Sequence, residues 1–179
     1  SSSIKYQLIE MPSQEVKCSG QIERIGFHDA IFTHKKGGNT HKETLAILDH
    51  KAGMEKIAST LMDLKIGAIE NVSEIEAVSH RVVHGGSRFT NTTLITHEVK
   101  ESIHQLSDLA PLHNPANLTG IEISEVVFPS AKQIAVFDTA FHQTLSKEAY
   151  QYAIPNAFLK DHKIRTYGFH GTSHKYVSE

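Results

Sequence analysis

The chain has 179 residues, with 18 Lys and Arg against 20 Asp and Glu for a net charge of −2. That length suits one ordinary domain or one and a piece. The near-neutral charge gives no bulk electrostatic reason for a nucleic-acid or acidic-membrane partner. Apolar runs of only a few residues cannot span a bilayer, and a single cysteine, Cys18, excludes an internal disulfide framework and fits a reducing cytosol.

Hydrophobic content of 39% and charged content of 21% fit a soluble globular protein with a core. No signal-peptide pattern stands at the start. The opening "SSSIKYQLIE" lacks an initiator Met and reads as the middle of something longer.

In chain order, "IKYQLIE" alternates with Ile4, Tyr6 and Leu8 on one face and predicts a strand. "VKCSGQIERIG" and "HDAIFTHKK" predict two more, the last closed by Gly37-Gly38, so the three suggest an antiparallel meander. The period then changes. Asp49 can cap a helix in which Met54, Ile57, Ala58, Leu61 and Met62 share one face. "IEAVSHRVV" is an apolar strand ending at Gly85-Gly86, and Thr96 can cap a short helix carrying Val99, Ile103 and Leu106. Asn114-Pro115 reads as an N-cap and first-turn pair opening a third helix, which Pro129 stops. "KQIAVFD" is nearly continuous in apolar residues, as expected of a strand covered on both faces. A helical stretch near Ser146 to Ala153, a turn at Pro155 and a last strand near Arg165 to Tyr167 complete the pattern. The order βββαβαβ argues for an α/β fold with mixed strand directions. A domain boundary is expected between Asp138 and Thr144, giving residues 1–143 and 144–179.

Chemistry-bearing residues gather at the ends of the apolar runs, and in open α/β sheets the carboxyl ends of strands face the ligand crevice. Arg81, His84 and the glycine pair end one strand, and Asp138 terminates another. Position alone leaves Asp138 equally readable as a helix cap, and Arg81 as half of a strand-end salt bridge. His113 precedes the Asn114-Pro115 helix start, where free N–H groups and the helix dipole can receive an anion. "SSSIK" places hydroxyls and Lys5 in a turn that can cradle phosphate. In "YGFHGTSHKYV", His170 and His174 have metal-pair spacing, but the motif lacks the Glu of a zinc-protease helix and any cysteine partner. Of the 13 histidines, His28, His34, His41, His50, His97, His104 and His162 are expected on the solvated surface.

Taken together and in this order, "SSSIKYQLIE", "HRVVHGG", "APLHNPANLTGI", "AVFDTAFHQT" and "YGFHGTSHKYV" resemble the acetokinase family, which holds acetate, propionate and butyrate kinases. "HRVVHGG" and "HNPAN" are more similar to its acetate kinases. The resemblance implies a ribonuclease H-like/actin-like ATPase fold, with a mixed sheet on a βββαβαβα core, here lacking its first strand and truncated at both ends. It implies transfer of the γ-phosphoryl group of ATP to acetate, giving acetyl phosphate and ADP, with Mg2+ or Mn2+, in a cytoplasmic homodimer.

By the same resemblance Arg81 binds substrate, Asp138 is the catalytic aspartate and His170 steadies the transition state. His113 lies near the phosphoryl path, Val83, Leu112 and Phe169 hold the acetate methyl, and Lys5 binds nucleotide. The family's magnesium-binding Asn and Glu have no counterpart in this chain, so no metal ligand is expected in it, and the chain alone is expected to be inactive. The alternatives are a propionate or other short-chain acyl kinase, a non-catalytic actin-like nucleotide-binding module, and a histidine-based metalloenzyme.

Overall fold

A computed structural model describes residues 2–179. The chain divides into two compact units, one made of residues 1–76 and Glu122–Ala131, the other of Ala77–Ile121 and Lys132–Glu179.

The first unit is built on four strands, β1 (Ser3–Glu10), β2 (Glu15–Glu23), β3 (Phe27–Lys36) and β4 (Asn39–Ile47), in an antiparallel meander of order β1-β2-β3-β4. The fourth strand departs from the expected three. Gly37 and Gly38 have φ of 55° and 81°, the two successive positive angles of a two-residue hairpin turn, so they join β3 to β4 instead of closing the meander. β4 escapes a hydrophobic reading because only its last residues are sheltered, Ile47 alone being buried.

Helix α1 (His50–Leu61) begins at Asp49, whose side chain accepts from the Ala52 amide as expected. Ile57 and Leu61 of α1 join Cys18, Ile22, Ile25, Ala30, Phe32 and Ile47 in one buried core. His34 is a second correction: it is buried, not solvated. Its Nε2–H donates to the Ile66 carbonyl at 3.0 Å, which leaves Nδ1 to accept from the Tyr6 hydroxyl at 2.7 Å. Two partners make burial of the ring tolerable.

In the second unit, β5 (Ala77–Val82) runs parallel to β7 (Lys132–Phe137), and the two-residue β6 (Thr93–Leu94) runs antiparallel on the other side of β7. The mixed directions are as expected, although the strands of the chain fall into two sheets. β7 is not covered on both faces: Gln133, Ala135 and Phe137 are buried while Ile134 and Val136 are only half-buried.

Thr96 caps α2 (His97–Gln105), accepting from the Val99 amide. Val99 and Ile103 of α2 pack with Val82, Phe89, Ile95, Ile121, Ala135 and Phe137. Helix α3 (Asn114–Val127) ends before Pro129. Beyond β7 the chain forms a 3-10 turn at Phe141–Thr144 and the helices α4 (Lys147–Tyr150), α5 (Ala157–His162) and α6 (Gly171–Ser178). The expected strand at Arg165 to Tyr167 is absent: Thr166 makes one backbone bond, to the Tyr150 carbonyl, and Arg165 stacks 3.7 Å over the Tyr150 ring. A single contact of that kind pins a loop without starting a ladder.

Candidate active site

The parallel pairing of β5 and β7 sets Arg81 opposite Val136 and Val82 opposite Phe137. The two strands therefore finish side by side, and the amide of Asp138, the first residue past β7, donates to the Val82 carbonyl at 2.9 Å. This brings together the side chains of Arg81 and Asp138, 57 residues apart in sequence. Arg81 Nε donates to Oδ1 at 2.9 Å and to Oδ2 at 3.1 Å, and Nη2 donates to Oδ2 at 2.6 Å.

The pair is one-sided. The aspartate side chain is 2% exposed and the arginine side chain 62%. Fork-to-carboxylate geometry is directional as well as charge-assisted, so the buried anion aims an exposed cation. The same contact raises the Arg81 pKa further above its ordinary value, the hydrogen bond to Asp138 being the larger cause. Asp138 thus acts neither as a helix cap nor as an isolated turn residue.

His170 completes the cluster. Arg81 Nη2 donates to His170 Nδ1 at 2.9 Å. A guanidinium can only donate, so Nδ1 is a lone-pair acceptor and the imidazole proton sits on Nε2. The ring's Nε2–H is therefore the donor it has left to offer. His170 stands at the start of α6 in the left-handed region, with φ of 53°. The Gly171 amide donates to the Asp138 carbonyl at 2.8 Å, and a Cβ at Gly171 would lie 2.4 Å from that oxygen, so only glycine fits there.

The loop leaving β5 is held by side chains from other elements. Val83 N–H donates to Asn117 Oδ1 at 3.1 Å, His84 N–H to Asn114 Oδ1 at 3.1 Å, and Gly85 N–H to Thr139 Oγ1 at 3.0 Å. Asn114 Nδ2 returns two bonds, to the carbonyls of His84 at 3.0 Å and Ile103 at 3.2 Å. Asn114 is therefore not the N-cap that its place before Pro115 suggested. It lies inside α3, and the His113 carbonyl receives the Asn117 amide. His84 is itself buried. Its Nδ1 accepts from the Gly86 amide at 3.0 Å, and its ring meets Tyr167 and Phe169 edge-on at 4.5 and 5.7 Å. Burial pushes the His84 pKa down, keeping the ring neutral.

A family model described as the acetokinase family matches residues 1–179. The chain belongs to the acetokinase family. It is 62% identical over 179 residues to an acetate kinase of Flavobacterium johnsoniae, covering all of this chain and 45% of that relative. It is 51% identical to an acetate kinase of Thermotoga maritima, covering 100% of this chain and 44% of that one. Its structure matches a crystal structure of Porphyromonas gingivalis acetate kinase with a TM-score of 0.93 and 44% identity, over 99% of this chain and 45% of the other. A propionate kinase from Francisella tularensis matches at 0.92 and 39% identity, over 99% and 45%. The chain thus spans less than half the length of these relatives. The α/β class with a mixed sheet, of the actin-like ATPase kind, rests on these structural likenesses and on the β5-β7-β6 arrangement.

Of the residues that the acetokinase resemblance singled out, Arg81, Asp138 and His170 are joined in one hydrogen-bonded set. Val83, Leu112 and Phe169 do not close into a pocket within this chain. Leu112 is 82% exposed and Phe169 44%. A groove of about 380 Å³ beside His84 is lined by Phe169, Tyr167, Arg165 and Tyr152 among others, and by neither Val83 nor Leu112. His113 is exposed ahead of α3, and Lys5 is exposed on β1, in the first unit. Among the described residues no group of three or more His, Cys, Asp or Glu side chains is placed to hold a metal ion, and the His174 ring packs against that of His142, with centroids 5.5 Å apart. The sequence reading missed Asn114, Asn117 and Thr139 as holders of the β5 loop. Two asparagines three apart at a helix start, one helical face, were the available signal.

Proposed function

We propose that the whole protein is an acetate kinase, which moves the γ-phosphoryl group of ATP reversibly onto acetate to give acetyl phosphate and ADP. The observation that carries this is the exposed Arg81 guanidinium, fixed by the buried Asp138 carboxylate and touching His170 at the ends of two parallel strands. Identity of 62% to a relative named acetate kinase supports the choice of reaction.

In this reading an acetate oxygen attacks the γ-phosphorus, the new P–O bond forms, and the bond to the bridging oxygen breaks with its electron pair leaving on ADP. Acetate, like other carboxylic acids of pKa about 4.3, is already ionised at neutral pH, so the step needs no general base. Phosphoryl transfer is served by positioning and by charge stabilisation on the equatorial oxygens. Arg81, through the nitrogen not committed to Asp138, and His170, through Nε2–H, are the donors. Asp138 spends both oxygens on Arg81, which supports a role as its anchor and not as a proton acceptor. His113 contributes near the phosphoryl path, Val83, Leu112 and Phe169 hold the acetate methyl, and Lys5 contacts nucleotide. Mg2+ or Mn2+, when bound with the nucleotide, would neutralise phosphate charge; the described residues hold no group of three or more His, Cys, Asp or Glu side chains placed for it.

The whole protein is further proposed to be a cytoplasmic homodimer, with residues 144–179 opening its second domain. Membership of the family and the lack, among the described residues, of any helix long and apolar enough to cross a membrane are compatible with this.

The test is acetyl phosphate formation by the full-length protein, trapped as the hydroxamate. Arg81→Ala is expected to lower kcat by about 10²–10³-fold, the usual loss for one donor to a transition-state oxyanion. Asp138→Asn is expected to lose activity without recovery on adding exogenous base; recovery, with a pH profile following one proton-accepting group, would show Asp138 to be a base after all. The likeness to a propionate kinase makes acyl size the second question. A methylene in an apolar pocket is worth about 1–3 kcal/mol, so propionate should be used less well than acetate, and Val83→Ala should move the kcat/KM ratio toward propionate. A ratio unchanged by that substitution removes Val83 from the pocket.

A further inference from the structure

His142 has no part in the chemistry just described, yet it sits against the segment that presents Phe169 and His170. Its Nε2 lies 3.1 Å from the Phe169 carbonyl oxygen. A carbonyl only accepts, so the proton is on Nε2 and the ring donates. The segment it meets has an unusual backbone. Gly168 and His170 both have positive φ, 70° and 53°, on either side of Phe169. Glycine adopts that region freely; for histidine it is a sparsely populated conformation that the surroundings must over-determine.

Two bonds do so, and both come from the loop that follows β7. The Phe169–His170 peptide is held by its carbonyl, through His142. The His170–Gly171 peptide is held by its N–H, through the Asp138 carbonyl at 2.8 Å. His170 is thereby gripped on both sides of its Cα by residues 138 and 142. Its side chain is gripped a third time by Arg81, itself bound to Asp138. The fit on the His142 side leaves no slack: a Cβ at Gly168 would lie 2.5 Å from His142 Cδ2 and 2.6 Å from Cγ. The imidazole lies directly on a bare glycine backbone.

We propose that His142 is a positioning residue, which through its Nε2–H to the Phe169 carbonyl fixes the left-handed turn that aims His170 at the transferring phosphoryl group. This rests on the acetate kinase reading for its kinetic consequence, but the alignment of His170 is measurable without turnover. Loss of the bond lets the turn relax, and displacement of a reacting group by about 1 Å is enough to cost up to ~10²-fold in rate. The effect belongs on kcat and, because the bond is made to Phe169 of the proposed acetate wall, on the KM for acetate, with the KM for ATP changed little.

The experiment uses the full-length protein carrying His142→Phe, which keeps a ring and removes the donor, and His142→Gln, which restores an amide N–H. Acetyl phosphate formation is measured with the KM for ATP, and the imidazole 15N resonances of His170 are recorded in histidine-labelled protein, assigned through a His170→Gln variant. Expected are a kcat about 10- to 100-fold lower in His142→Phe with the KM for ATP within about 2-fold of wild type, a shifted His170 Nδ1 resonance, and recovery of both by His142→Gln. A His142→Phe protein with wild-type kcat and an unmoved His170 resonance overturns the proposal. So does equal impairment of the two variants, which would reduce the role of His142 to packing. If the wild-type protein makes no acetyl phosphate, the functional reading fails on its own, and the His170 resonances of the two variants still decide the positioning role.

Discussion

Among single residues, position marked Arg81, Asp138 and His170 as polar residues at run ends or beside glycine, and it was the acetokinase resemblance that grouped them as a candidate site. Their mutual contact was not legible. Arg81 lies 57 residues from Asp138 and 89 from His170, and only the parallel register of β5 with β7 closes the first gap. His84 illustrates the other limit. In "HRVVHGG" it reads as part of a polar strand end, and nothing local announces that it is buried with its Nδ1 accepting from Gly86 two residues on. That arrangement makes a prediction with a definite sign. Burial lowers the folded pKa of His84 below the unfolded value of about 6.5, so the unfolded chain takes up the proton more readily. The stability His84 contributes is then complete above about pH 6.5 and is lost as pH falls through the lower folded value. Calorimetry of the full-length protein between about pH 8 and 5 should show Tm falling on the acid side. His84→Asn keeps an acceptor for the Gly86 amide and cannot be protonated; it should lower Tm overall, through lost contacts with Tyr167 and Phe169, yet flatten that acid slope. An acid slope as steep in the variant as in wild type would assign it to other groups.

At the level of elements, period and caps were informative wherever one face of an element is buried. The helices begun by Asp49 and Thr96 were found at their caps, and β7 was found as a strand although its coverage was overstated. β4 was missed because its sheltered face shows only at Leu45 and Ile47. The strand expected at 165–167 failed because an alternating pattern does not say whether a partner strand is present. Asn114 is the sharpest case, since the same residue that can cap a helix can also reach from its first turn to another segment. Buried at 0% exposure, it satisfies the N–H and C=O of His84 and the C=O of Ile103. Asn114→Ala leaves the N–H and C=O of His84 without this partner, while the Ile103 carbonyl keeps the Ser107 hydroxyl at 3.4 Å; since each unsatisfied buried group costs about 1–3 kcal/mol, a loss of at least ~2 kcal/mol is expected as a lower urea midpoint. Asn117→Ala removes one acceptor from the half-buried Val83 amide and should cost about half as much by the same reasoning. Equal losses for the two would mean that the Asn114 bonds are not the ones holding the loop.

For the whole molecule, the state of the site within this chain bears on what the chain does alone. The proposed donors are assembled: Arg81 is anchored to Asp138 and bonded to His170. The enclosure is not. Arg81 is 62% exposed at its side chain, while Leu112 and Phe169, the proposed wall around the acetate methyl, are 82% and 44% exposed. Phosphoryl transfer is accelerated by holding both reactants in line and by strengthening donor contacts where water is excluded. Donors in open water gain little, because the effective dielectric there is high. The relatives are more than twice as long as this chain, which covers 45% of the first of them. The 179 residues on their own are therefore expected to yield no acetyl phosphate above background in the hydroxamate trap with ATP, magnesium and acetate, with circular dichroism recorded alongside to separate an open site from an unfolded chain. The full-length protein under the same conditions should yield it readily. Acetyl phosphate made by the isolated chain would mean that anchoring Arg81 and orienting His170 suffice without enclosure, and the emphasis on water exclusion would have to be withdrawn.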